Sequence, residues 1–264
     1  MPTPFTLPGT ELHLLQARES GRVHQLYVAA PPSHAIHPER RCPTVYVLDP
    51  QWDFAAVGFI LGNMAFDKSA PPECLVVGIG YPGPADYERE RHRDLSPVAV
   101  PFLDDGREQG EAARFLSFVA DEVVPFAERE LGADPACRVL TGSSLAGLFG
   151  LYALLERPGL FHGVVAVSPA VVWGDDWIRL HYERRAGARI DARLYMTAAE
   201  DEWPDFLAAA KRMHETLTRF PFPGLEYRWR LIEGERHCST KGEGFTRGLR
   251  FALAPWAPEP SRLP

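Results

Sequence analysis

A serine hydroxyl is a poor nucleophile at neutral pH. It becomes an effective one when a base lies within hydrogen-bond reach and a third group holds that base in the right tautomer. This chain carries residue types for such a relay in the order Ser144, then the acidic run Glu200-Asp201-Glu202, then His237. Ser144 lies in a cluster of small residues, Gly142-Ser143-Ser144-Leu145-Ala146-Gly147. An apolar run ending at Leu140 precedes the cluster and a helical pattern to Leu155 follows it. A strand, a tight turn and a helix in succession push the turn side chain out beyond the sheet, with the helix N-terminus beneath it. Serine also suits a helix N-cap. The small residues on both sides favour the sharp turn, with Ser144 as nucleophile and Ser143 as the lesser candidate.

His237 follows an alternating run, Leu225 to Ile232, and sits in a polar loop after Gly234. The remaining histidines fall in N-terminal strands, early loops, charged stretches or a helix, and fit a base less well. Any of Glu200, Asp201 and Glu202 could face the imidazole, since all three follow the apolar run ending at Ala199. Oxyanion stabilisation calls for backbone N–H groups. Leu145, directly after Ser144, would supply one. The turn after Thr44–Leu48 would supply the other, and because Pro50 has no N–H the donor there is Gln51.

These residues need a scaffold. Thr44–Leu48 is an apolar run without polar alternation, as expected of a central parallel strand covered on both faces; Cys74–Gly80 and Gly163–Val167 read as further buried strands and Ala192–Ala199 as another strand. Helical patterns alternate with them: Phe54–Phe66, Gly110–Leu131 with a kink or break at Pro125, the segment after Ser144, Phe206–Arg219 and Phe245–Leu253. Glu11–Ala17 and Val23–Ala29 read as a hairpin. Pro84–Asp105, dense in charge and proline, reads as a long functional loop. The alternation predicts an α/β class with a mostly parallel sheet, whose chemistry lies beyond the carboxyl ends of the strands. Asp49-Pro50-Gln51, Ser144, the acidic run and His237 all fall at such ends. We see neither repeat nor linker, so residues 1–264 are expected to form one domain, with a proline-rich tail over about 254–264.

Composition narrows the class. The 264 residues are 45% hydrophobic and 24% charged with a net charge of −7, which speaks against nucleic acid as a partner. No apolar run reaches membrane-spanning length, and the N-terminus lacks a signal-peptide pattern. The four cysteines are scattered without metal or disulfide spacing. A cytoplasmic protein is expected. Its oligomeric state is not fixed by the sequence.

The assembled pieces resemble the esterase-D-like α/β-hydrolases, a group that includes the ferric-siderophore (enterobactin-type) esterases. The likeness runs from about Thr44 to Leu253. Thr44-Val45-Tyr46-Val47-Leu48-Asp49 resembles the strand ending in Leu-Asp-Gly. Arg91-His92-Arg93-Asp94-Leu95-Ser96-Pro97 is similar to Arg-x-x-Asp-Leu-Thr-Pro, and Gly142–Gly147 to Gly-x-Ser-x-Gly-Gly. Tyr195–Glu202 is similar to the strand ending in Gly-x-x-Glu, and Gly234-Glu235-Arg236-His237 to Gly-x-x-His. The chain departs from these patterns at Pro50, Ala146 and Ala199, each standing where the family has glycine.

The resemblance implies an α/β-hydrolase fold and hydrolysis of a small-molecule carboxylic ester, such as a siderophore lactone, through an acyl-serine. Ser144 would attack, His237 would shuttle the proton and Glu202 would orient His237. It also implies that neither metal nor organic cofactor is needed. Arg91 is a candidate substrate contact, or else an ion pair that anchors its loop. Trp52 and Trp173, with Trp177 and Trp203, fall near strand ends and could wall an acyl pocket. An acyltransferase, or a non-catalytic binding protein retaining the fold, are the rival readings.

Overall fold

A computed structural model describes residues 6–65, 71–100 and 109–257. Their strands form one eight-stranded sheet in the order β1-β2-β4-β3-β5-β6-β7-β8. These are β1 (Thr10–Gln16), β2 (Val23–Ala29), β3 (Cys42–Leu48), β4 (Leu75–Gly80), β5 (Ala133–Ser143), β6 (Gly163–Val167), β7 (Ala192–Ala199) and β8 (Leu225–Ile232). The expected hairpin is present: β1 pairs antiparallel with β2, and β2 antiparallel with β4. From β4 to β8 every pairing is parallel.

Side chains alternate between the two faces. Val45, Val47, Val139, Val165 and Val167 pack with Phe54, Val57, Phe245 and Leu249. The latter belong to α1 (Pro50–Met64) and α8 (Lys241–Leu253). Tyr46, Leu48, Leu140, Val164 and Ala166 point the other way, toward α3 (Ala112–Phe118), α4 (Val124–Glu130), α5 (Leu145–Glu156), α6 (Trp173–Arg184) and α7 (Pro204–Arg219). Covering both faces is why β3, β4 and β6 read as unbroken apolar runs. Helix α8 approaches the sheet closely because Gly244 and Gly248 have no Cβ; a methyl on Gly244 would come within 2.9 Å of Val167.

One expectation needs correction and another is narrowed. Pro84–Asp105 is not a plain loop, since residues 87–95 form α2 (Tyr87–Leu95); residues 101–105 lie outside the described residues. Helix α2 escapes a periodicity reading because its buried residues are Arg91, Arg93, Asp94 and Leu95. Ion pairs rather than an apolar stripe hold it, and Asp86 Oδ1 caps it by accepting from the Arg89 N–H at 3.2 Å. Of the kink or break expected at Pro125, the structure shows a local irregularity and no break. A π-helical stretch, Val119–Val123, joins α3 to α4 just before that proline. Pro125 cannot donate to a carbonyl one turn earlier, and the widened turn takes up the mismatch. Helix α6 lacked a clear sequence signal, and its first turn holds three residues with positive φ, Gly174, Asp175 and Asp176. Phe66 and residues 258–264 of the tail fall outside the described residues.

Candidate active site

The chain reverses its direction of sheet growth between β3 and β5, which are hydrogen-bonded neighbours. Ligands of open α/β sheets bind in the crevice beyond the carboxyl ends at such a switch point. Asp49-Pro50-Gln51 leaves β3 here and Ser144 leaves β5.

Ser144 has φ 57° and ψ −121°, a conformation that L-residues rarely adopt. Holding it costs on the order of 1–3 kcal/mol, and the neighbouring backbone supplies the grip. The Ser144 N–H donates to Val167 O at 3.0 Å, and Ser144 O accepts from Ala170 at 3.0 Å and Leu148 at 2.9 Å. The departure at Ala146 is accommodated by Gly142: a Cβ on Gly142 would overlap the Ala146 methyl. Small size at Gly142 is therefore what lets α5 fold back onto β5.

The Pro50 departure is explained in the same way. Pro50 is the first residue of α1, a favoured position because its missing N–H has no partner to lose. Its ring fills the space above two glycines of β4, so that a Cβ on Gly78 or Gly80 would come within 2.6 or 2.7 Å of it. Gln51 thus lies second in the first turn of α1, and Leu145 opens the first turn of α5. First-turn amides have no partner within their own helix, and the positive ends of two helix dipoles converge there. Both side-chain amide atoms of Gln51 are also buried without a partner among the described residues.

His237 Nδ1 lies 2.8 Å from Glu202 Oε1, with the N–H bent off the line between them. The Glu202 side chain is 1% exposed and that of His237 12%. Glu202 Oε1 also accepts from the Trp203 N–H at 3.3 Å. The other two acids are placed elsewhere. Glu200 Oε2 accepts from the Gly234 N–H at 2.9 Å, and Asp201 is exposed. Trp203 and Phe206 pack on the imidazole, with ring centroids 4.6 and 5.3 Å away. Phe206, read from the sequence only as the start of a helix, is thereby part of the site.

Arg91 is committed to an ion pair. Its Nη2 donates to Asp49 Oδ2 at 2.7 Å, its Nε reaches both oxygens at 3.2 Å, and both residues are buried. Burial alone would lower the guanidinium pKa, but Asp49, together with Glu88 and Tyr81, more than offsets this and raises it. Of the two readings of Arg91, the structure brings out the anchoring one: it holds Asp49, whose φ of 51° begins the turn into α1. Trp52 lies over this guanidinium at 5.3 Å and remains half exposed. Trp173 is not free to line a pocket on all sides, since its Nε1 donates to Ser96 Oγ at 2.6 Å. Trp177 stacks on His181, one turn further along α6, at 4.5 Å and packs against Tyr152 of α5.

Beneath Ser144 is a group that the sequence reading did not single out. Ser143 Oγ donates to Asp53 Oδ2 at 3.3 Å, and Lys241 Nζ donates to Asp53 Oδ1 at 2.7 Å. Ser143 therefore has a partner below the turn.

The Esterase family model, described as "Putative esterase", matches residues 18–216. The chain belongs to this family. It is a carboxylic ester hydrolase with the α/β-hydrolase fold. The ferri-bacillibactin esterase BesA of Bacillus subtilis (strain 168) is 27% identical over 96% of this chain and 93% of its own. The crystal structure of the BES protein from Bacillus cereus superposes with a TM-score of 0.82 at 23% identity, covering 95% of this chain and 97% of that one. The siderophore hydrolase EstA from Aspergillus nidulans superposes with a TM-score of 0.76 at 22% identity, covering 94% and 96%.

Proposed function

We propose that this protein hydrolyses esters of siderophore type, lactones included, through an acyl-Ser144 intermediate. The observation that carries the reading is the buried Glu202 carboxylate 2.8 Å from His237 Nδ1, at the same sheet end as a serine held at positive φ. Glu202 orients the imidazole, leaving Nε2 as the base. Ser144 Oγ attacks the carbonyl carbon as its proton passes to His237. The oxyanion is held by the Leu145 and Gln51 N–H groups. Collapse expels the alcohol, which takes its proton from His237. Water then attacks the acyl carbon by the same relay in reverse, releasing the acid and restoring Ser144.

The ester class is supported by family membership and the siderophore class by the names of the relatives. The open, half-exposed Trp52 beside the Arg91–Asp49 pair gives an aromatic wall suited to a catechol-sized acyl group. We place the protein in the cytoplasm as one domain; its four free thiols support the location. Among the described residues no helix is long and apolar enough to cross a membrane.

The test is Ser144→Ala, assayed on p-nitrophenyl esters and on a triscatecholate trilactone with and without ferric ion. Turnover of both is expected to fall by about 10³-fold or more, and fluorophosphonate labelling to vanish. Undiminished turnover would refute the nucleophile. Turnover of simple esters without any trilactone cleavage would refute the substrate class.

A further inference from the structure

The carboxylate of Asp53 has no counterpart in the relay just described, yet it is 1% exposed and sits directly below the residue preceding Ser144. It accepts from Ser143 Oγ at 3.3 Å and from Lys241 Nζ at 2.7 Å. Its partners are 90 and 188 residues away in sequence. Each belongs to a different strand-end segment. Asp53 is in the first turn of α1, two residues after Gln51. Ser143 ends β5. Lys241 is the first residue of α8, four after His237.

The placement of charge is informative. An acid in a first turn suits the helix dipole, but a lysine at the first position of α8 is at the wrong end of its helix. A buried, unpaired carboxylate would be costlier still. Burial raises the Asp53 pKa above the ordinary carboxylate value, and Lys241 limits that rise. Each charge is therefore tolerated because of the other, and the contact between them fixes how α1 and α8 meet over the end of β5. The side chain of Lys241 keeps 26% of its surface exposed, so packing volume alone does not explain a lysine here.

We infer that Asp53 and Lys241 are positioning residues: their ion pair, extended to Ser143, sets the mutual placement of the Gln51 amide, Ser144 and His237. The inference rests on the proposed acyl-Ser144 mechanism. Neither side chain touches the reacting atoms; they clasp the three segments that do. Displacements on the order of 1 Å between reacting groups cost about a hundredfold in rate, so a loosened clasp should be read in kcat.

The experiment compares Asp53→Asn, Lys241→Met, Lys241→Arg and the double variant Asp53→Leu/Lys241→Met in the full chain, with Ser144→Ala alongside. It measures kcat and KM on p-nitrophenyl butyrate and the rate of fluorophosphonate labelling. Each uncharged single variant is expected to lose about tenfold or more in kcat and in labelling rate, with KM changed less than threefold. Lys241→Arg should recover most of what Lys241→Met loses. The double variant should be no worse than the poorer single one, because one interaction is being removed. If the single variants do not fold, the double one, which leaves no unpaired buried charge, decides. The same kcat loss in a folded double variant supports the clasp, and wild-type kcat overturns it. Folded single variants with kcat within twofold of wild type, or losses confined to KM, also overturn it. Full turnover in Ser144→Ala would instead overturn the mechanism on which it rests, and the proposal with it.

Discussion

Glu202→Gln isolates the charge behind His237 with little change in shape. In the proposed relay Ser144 gives up its proton to the imidazole, which becomes imidazolium, and the carboxylate stabilises that cation. The contact atoms are 2.8 Å apart, which puts the centres of the two delocalised charges near 4 Å. At that separation and an effective dielectric near 20, opposite unit charges attract by about 4 kcal/mol. His237 retains some exposure, and the glutamine dipole recovers part of the interaction, so roughly 3–4 kcal/mol is lost in the transition state. With about 1.4 kcal/mol per decade of rate, kcat should fall by roughly 10²–10³, with KM little changed. The control is Glu200→Gln, which removes a charge two residues away but leaves a side-chain oxygen to accept the Gly234 N–H; it should stay within a few-fold of wild type. The assay is steady-state hydrolysis of p-nitrophenyl acetate near pH 8, with fluorophosphonate labelling as a second readout. If Glu202→Gln kept more than a tenth of the activity, or if Glu200→Gln proved the damaging change, the assignment of the orienting acid would be wrong.

Gly142→Ala should destabilise the protein by about 1–3 kcal/mol through overpacking against Ala146, and adding Ala146→Gly should restore only part of the thermal stability, because the Ala146 carbonyl carbon would still lie 2.9 Å from the new methyl. Arg91→Met leaves Asp49 buried without its partner and should cost about 3–5 kcal/mol in urea unfolding; unchanged stability with a raised KM would make Arg91 a substrate contact instead. His24, buried against Phe118, has its pKa lowered by burial to about 4 from 6.5. The unfolded chain therefore binds the extra proton first as pH falls, so stability is lost between about pH 6.5 and 4 and levels off below, by about 3 kcal/mol in all. In His24→Phe the pH dependence of unfolding over that range should be shallower by about this amount, and an identical dependence would exclude His24 as the source.

The central parallel strands β3, β4 and β6 were legible because each is buried on both faces and so reads as an apolar run, whereas the edge strand β8 alternates between buried and exposed positions. Ser144 was legible because the sharp turn needs small neighbours, and Gly142 and Ala146 are small for a steric reason that the structure makes explicit. Helix α2 was not legible. Burial there falls on Arg91, Arg93 and Asp94, which are stable inside only because Asp49, Glu90 and each other neutralise them. A hydrophobic periodicity cannot register a helix whose buried face is charged and paired.

The same reasoning separates Glu202 from its neighbours. A run of three acids after a strand gives no local ground for preferring one, because strand residues alternate but a turn does not. What distinguishes them is a partner more than thirty residues on. Glu200 meets the Gly234 amide and Glu202 meets His237, so one turn of β8's exit loop is held at two points by one turn after β7. Asp53 and Lys241 carry this to its limit. Each is an unremarkable charge in sequence, on helices that open and close the chain's parallel core, and only the parallel order of the sheet brings α8 back beside α1. Residues that perform a reaction cluster at strand ends and can be found there by type. Residues that hold those ends in register are chosen by contacts across the fold, and their sequence neighbourhood carries no trace of them.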